Sequence, residues 1–108
     1  MAFKSQATAG LGTSGSPSTV TPTVTSGTTA TLIGLSFANI TAAAVQVSAK
    51  LNKSGGTSAF LVKDATVLPG GALAVVGGDQ KVVLETGDTI TAYSSSSSSI
   101  DAVVSYLV

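Results

Sequence analysis

A chain of 108 residues fits one domain, and here 44% of residues are hydrophobic while only 9% are charged, against roughly 25% charged in ordinary soluble domains. The five positive charges are all lysines, five acids balance them, and the formal net charge is +0, so no basic stripe for nucleic-acid phosphates exists. Cysteine and histidine are absent and no arginine occurs, which removes disulfides, thiolate metal sites, the commonest general base and the planar anion clamp.

The first stretch, MAFKSQATAGLGTSGSP (residues 1–17), is built from Gly, Ser, Ala and Thr and cannot bury enough apolar surface to fold alone. It reads as an extended N-terminal arm, separable from a domain spanning 18–108. Such an arm stays ordered only if something ties it down, and the neutral, apolar composition favours a neighbouring subunit. Phe3 is its lone aromatic and fits an anchor for a hydrophobic pocket, on a neighbour or on its own domain; Lys4 and Leu11 accompany it as candidate interface residues.

STVTPTV follows, with Val20 and Val24 on one face and Thr19, Thr21 and Thr23 on the other, a first strand that Pro22 confines to a sheet edge and makes a fourth candidate contact. In TATLIGLSFANI, Ile33, Leu35 and Phe37 form the stronger core face. ANITAAAVQV contains helix-forming alanines, but Ile40, Thr41, Val45 and Val47 are β-branched, and Val45, Val47, Ala49 and Leu51 alternate as on a half-buried strand. NKSGG turns the chain so that TSAFLVKDA returns as a hairpin partner. LPGGA precedes LAVV, GGD turns into QKVVLE, and TGD supplies the sharp loop of a hairpin leading to TITAY. The serine run Ser94 to Ser99 then reads as the loop of a last hairpin, because IDAVVSYLV alternates as a closing strand and would otherwise dangle as an apolar tail. Turn signals every 8 to 12 residues or so predict an all-β antiparallel sandwich, jelly-roll or Ig-like, of about seven or eight short strands.

No element rises to a catalytic motif. Gly70, Gly71, Gly77 and Gly78 lack the spacing of a phosphate loop and read as turn glycines. Asp79 and Asp88 follow glycines in turns, where capping explains them better than calcium ligation. Nothing in the spacing brings Asp64 and Asp101 together as an acid and base pair, and the serines have no histidine to activate them. Tyr93 and Tyr106 make a thin platform for sugar stacking. The reading is a non-enzymatic chain without cofactor or metal. No apolar run spans a bilayer and the start lacks a secretory apolar core, so a soluble chain made in the cytoplasm is expected, with no membrane partner.

From Val20 onward, TVTSGTTATLIGLSFANITAAAVQVSAKL and then FLVKDATVLPGGALAVVGGDQKVVLETGDTITAYSSSSSSIDAVVSYLV resemble small virion structural proteins of tailed bacteriophages, including those of cyanobacterial phages. LPGGAL, GGDQKVVLETGDTI and IDAVVSYLV carry the likeness most closely. What the resemblance implies is a symmetry-repeated virion subunit: a capsid cement or decoration protein, or else a neck, collar or tail-fibre subunit. Its partners would be copies of itself, as a homo-oligomer such as a trimer, and major capsid or neck and tail proteins. A host-glycan-binding sandwich module is the alternative from a different class.

Overall fold

Alternating Thr, Val and Ala keep the backbone extended, and turn residues break it at short intervals. A computed structural model describes residues 2–77 and 80–108, and among them nine strands and no helix occur. They are β1 (Phe3–Thr8), β2 (Ser18–Thr19), β3 (Ala30–Asn39), β4 (Val45–Asn52), β5 (Ser58–Val67), β6 (Ala72–Val76), β7 (Val82–Leu84), β8 (Thr89–Ser94) and β9 (Ile100–Leu107). Two antiparallel sheets result. The five-stranded sheet runs β1-β9-β3-β6 with β7 also on β3, and the four-stranded sheet runs β2-β8-β4-β5.

The pairing is nested: β1 with β9, β2 with β8, β3 with β6 and β7, and β4 with β5. A long antiparallel ribbon folded at β4 and β5 and rolled so that its pairs fall alternately in two sheets is a jelly-roll sandwich. Leu11, Leu32, Leu35, Phe37, Leu84, Ile90, Ile100 and Val104 fill the space between the sheets, each at most 1% exposed. The one buried amide, Asn39, is fully occupied: Nδ2 donates to the Ala43 and Val67 carbonyls, and Oδ1 accepts from the amide and hydroxyl of Thr41. No buried side-chain polar atom among the described residues lacks a hydrogen-bond partner, as a well-formed core requires.

Several expectations hold. NKSGG closes the β4–β5 hairpin, with the Lys53 amide donating to the Thr57 carbonyl. Residues 100–107 form a strand, β9, which sits at the centre of its sheet between β1 and β3.

Other expectations change. The segment read as an arm is built into the sandwich: residues 3–8 form β1, paired with β9 over all six positions, and Leu11 is wholly buried in the chain's own core. The small polar residues there need no core of their own, because β9 supplies the ladder. Regular pairing of the next strand stops at Thr19; Val20 still donates to the Ile90 carbonyl, but Pro22 has no amide to continue the ladder, and it lies outside any strand. In β3 the register shifts between Leu32 and Gly34, which leaves Ile33 as an extra residue. The bulge switches the buried face, so Ala30 and Leu32 point inward before it and Leu35 and Phe37 after it, while Ile33 is only half-buried.

The TGD turn and the serine run are not hairpin loops. Each carries the chain from one sheet to the other, β7 to β8 and β8 to β9. Gly78 and Asp79, read as part of a turn, lie outside the described residues. The strands flanking them, β6 and β7, both pair antiparallel with β3.

Candidate interaction surfaces

The two ends of the four-stranded sheet differ chemically. At one end, Glu85 to Asp88 form a tight turn in which the Asp88 amide donates to the Glu85 carbonyl and Gly87 takes φ +83°. A Cβ on Gly87 would also come within 2.8 Å of the Ser54 Cβ, so both conformation and space demand glycine. The turn delivers the Asp88 carboxylate, 1% exposed, to three donors: the Lys53 ammonium, the Ser54 amide at 3.0 Å and the Glu85 amide at 2.9 Å. The Lys53 hydrogen bond is the main cause, with the two amides next, that holds the Asp88 carboxyl down to about 2, against the opposing cost of desolvation. The same contact, with that to Glu85 at 3.1 Å, raises Lys53. With its oxygens thus engaged Asp88 is a structural clasp, and among the described residues no group of three or more metal-ligating acids occurs.

At the other end the serine run wraps the chain near Leu11. Ser94 donates its amide to the Gly12 carbonyl, Ser98 donates to the Leu11 carbonyl, and the Leu11 amide donates to Ile100. Within the run, the Ser94 and Ser99 hydroxyls donate to the Ser96 and Ser97 carbonyls. Gly12 is held so closely that a Cβ there would lie 2.0 Å from the Ser16 carbonyl oxygen. Leu11 thereby plugs this end of the sandwich and is unavailable to a partner, contrary to its reading as an interface residue.

The remaining candidates are accessible. Phe3 is 76% exposed on β1. Lys4 lies opposite Tyr106 and, with Pro22, Val24 and Val108, lines a cleft of about 420 Å³. The fold therefore brings Lys4 and Pro22 to one cleft and sets Phe3 next to it on the opposite face of β1. Asp64 and Asp101 belong to different sheets and have different partners: Asp64 accepts from the Ser48 hydroxyl, and Asp101 accepts the Gly10 amide. Tyr106 is buried at 8% exposure, so of the two tyrosines only half-buried Tyr93 faces outward.

The two outer faces are also unlike. On the four-stranded sheet, the exposed Phe60 ring lies across from Lys50, with the Lys50 and Lys63 ammonium groups 5.0 and 5.1 Å from its centroid. On the five-stranded sheet the register places the apolar Phe3, Ala7, Val103, Leu107, Ala74 and Val83 on the outward side, interleaved with the small polar Ser5, Ser105, Ser36 and Thr31. Val83 and Val103 are about half exposed, at 51% and 47%. The one acid on that face among the described residues, Asp101, is engaged by the Gly10 amide. The valines were not singled out from sequence, but a signal was there: in the doublets of QKVVLE and DAVVSY one of two neighbouring valines must face away from the core.

Compared with known proteins, the chain matches no family model, no curated protein and no solved structure.

Proposed function

We propose that this chain is a non-enzymatic structural subunit of a tailed-phage virion, a capsid cement or decoration protein that binds the shell of major capsid protein through its apolar sheet face and strand edges. The observation that carries the reading is the outer face of the five-stranded sheet, where apolar side chains (Phe3, Leu107 and Val83 on one side, Ala7, Val103 and Ala74 on the other) flank a row of Ser5, Ser105 and Gly34, and where the one carboxylate among the described residues is already hydrogen-bonded. A patch of that kind on a neutral chain favours burial against protein. The likeness of residues 20–108 to small phage virion proteins supports the same role. Many symmetry-related copies, each with a modest contact, would bind the shell through their sum.

Quantitative mass spectrometry of purified particles tests it. A cement protein is present in on the order of hundreds of copies, as shell symmetry demands. A count of a dozen or so would move the chain to the neck or tail, and its absence from particles would overturn the virion role. Val103→Asp, on the outward side of β9, is expected to reduce occupancy several-fold while the isolated domain keeps its melting temperature.

A further inference from the structure

Four sheet edges are open to pairing, and three are defended. β5 carries two register shifts, a left-handed Asp64 at φ 52° and the adjacent Lys63. β2 is two residues long between Pro17 and Pro22. The edge beyond β3 is broken into the short strands β6 and β7. Bulges, prolines, charges and brevity are the devices that keep edges from adding strands.

β1 has almost none of them. It is six residues long, keeps unbroken register with β9, contains no proline, and carries one charge, Lys4. Ala2 and Val108 exchange both backbone hydrogen bonds, so by antiparallel alternation Lys4, Gln6 and Thr8 also turn their backbone groups toward β9. The N–H and C=O groups of Phe3, Ser5 and Ala7 therefore point away from the sheet, and these residues are exposed.

We propose that β1 pairs antiparallel with β1 of a second copy of this chain about a two-fold axis at Ser5, making one continuous sheet through both subunits. The second copy is the occupant because the edge is self-complementary. With Ser5 opposite the partner's Ser5, Phe3 falls opposite the partner's Ala7, and the outward groups form about six N–H···O bonds in narrow pairs. Lys4 falls opposite the partner's Gln6. Centring the axis on residue 4 would set two lysines face to face, and centring it on residue 6 would leave Phe3 without a strand residue opposite. Side-chain parity is kept, so the apolar outer faces lie on one side and each Phe3 ring meets the partner's Ala7 there. Each chain has a net charge of +0, so the copies do not repel. The pairing concerns two copies of this chain, and it does not rest on the virion role.

The test is sedimentation equilibrium of the full chain over a wide concentration range, with residue-resolved amide exchange on the same samples. The wild type is expected to dimerise reversibly, and the Phe3, Ser5 and Ala7 amides should gain about tenfold or more protection as the dimer fills, while those of Lys4, Gln6 and Thr8 are protected throughout. Ser5→Pro removes an outward amide at the axis and no bond to β9, so the dissociation constant should rise about a hundredfold. Lys63→Glu, on the defended β5 edge, should leave it unchanged. A strictly monomeric wild type would overturn the proposal. So would a dimer that Ser5→Pro, folded by circular dichroism, does not weaken, or a dimer in which the three outward amides exchange as fast as in the monomer. Should Ser5→Pro not fold, the amide pattern of the wild type decides alone.

Discussion

β8 enters its sheet at a corner built on an ion pair, the charged corner, and leaves it at a serine-rich one where none is found among the described residues, the neutral corner. At the entry, a buried carboxylate gathers an ammonium and two amides around a glycine turn. At the exit, the Ser94 and Ser98 amides of the serine run donate to the Gly12 and Leu11 carbonyls, Asp101 accepts the Gly10 amide, and a leucine is the plug. Both corners hold two sheets together, by different means. The charged corner concentrates its hold in one carboxylate with an ammonium and two amides, whereas the neutral corner spreads it over several backbone and hydroxyl bonds, one bond to the Asp101 carboxylate and an apolar side chain.

That contrast can be broken from either side. The largest effect is expected at the neutral corner, from its apolar element: Leu11→Ala should cost about 2–5 kcal/mol, as for other fully buried leucines, measured by urea unfolding. Next, Gly87→Ala at the charged corner forces a side chain into a positive-φ position against Ser54, and a loss of about 1–3 kcal/mol is expected.

The pH profile sharpens the contrast further. Asp88 has a folded pKa of about 2, below the roughly 3.9 of an unfolded aspartate. Its stabilisation is therefore complete above that unfolded value and fades as pH falls toward 2. Lys53 is raised, so its share is complete below its ordinary value of 10.5 and fades as pH rises through the folded one. Melting temperature followed against pH should drop at the acid end, and Asp88→Asn should lower the neutral plateau and flatten that acid drop. The smallest effect belongs to single serines: Ser95→Ala removes the hydroxyl that accepts the Gln46 amide and should cost about 1 kcal/mol or less, with no change in the pH profile.

Much of the sandwich was legible because strand alternation and turn residues are local signals. The β4–β5 hairpin could be read from NKSGG, and the closing strand from IDAVVSYLV. What a turn connects is not local. TGD and the serine run show where the chain bends, yet whether the next strand pairs with the last one or crosses to the other sheet depends on pairings some sixty or more residues away, such as β3 with β9. The inward face of β3 was misread for a related reason: Ile33 is apolar, and only the register with β9 reveals it as the extra residue of a bulge. The N-terminal segment was misjudged because composition measures whether a segment can fold alone, and β1 never does; β9 and the serine run hold it. Of the candidate contacts, Phe3 was visible as an isolated aromatic, while the outward valines and the free edge required the sheet order.

The most direct test of this architecture is amide exchange at Leu11 in dilute, monomeric protein. Its N–H is bonded to the Ile100 carbonyl, and its own carbonyl accepts from Ser98, beneath the serine run. The account predicts that Leu11 exchanges as slowly as the core amides of β3 and β9, opening only with the whole domain. Exchange of Leu11 near the rate of a free peptide, with β3 and β9 still protected, would show a detachable arm and contradict it.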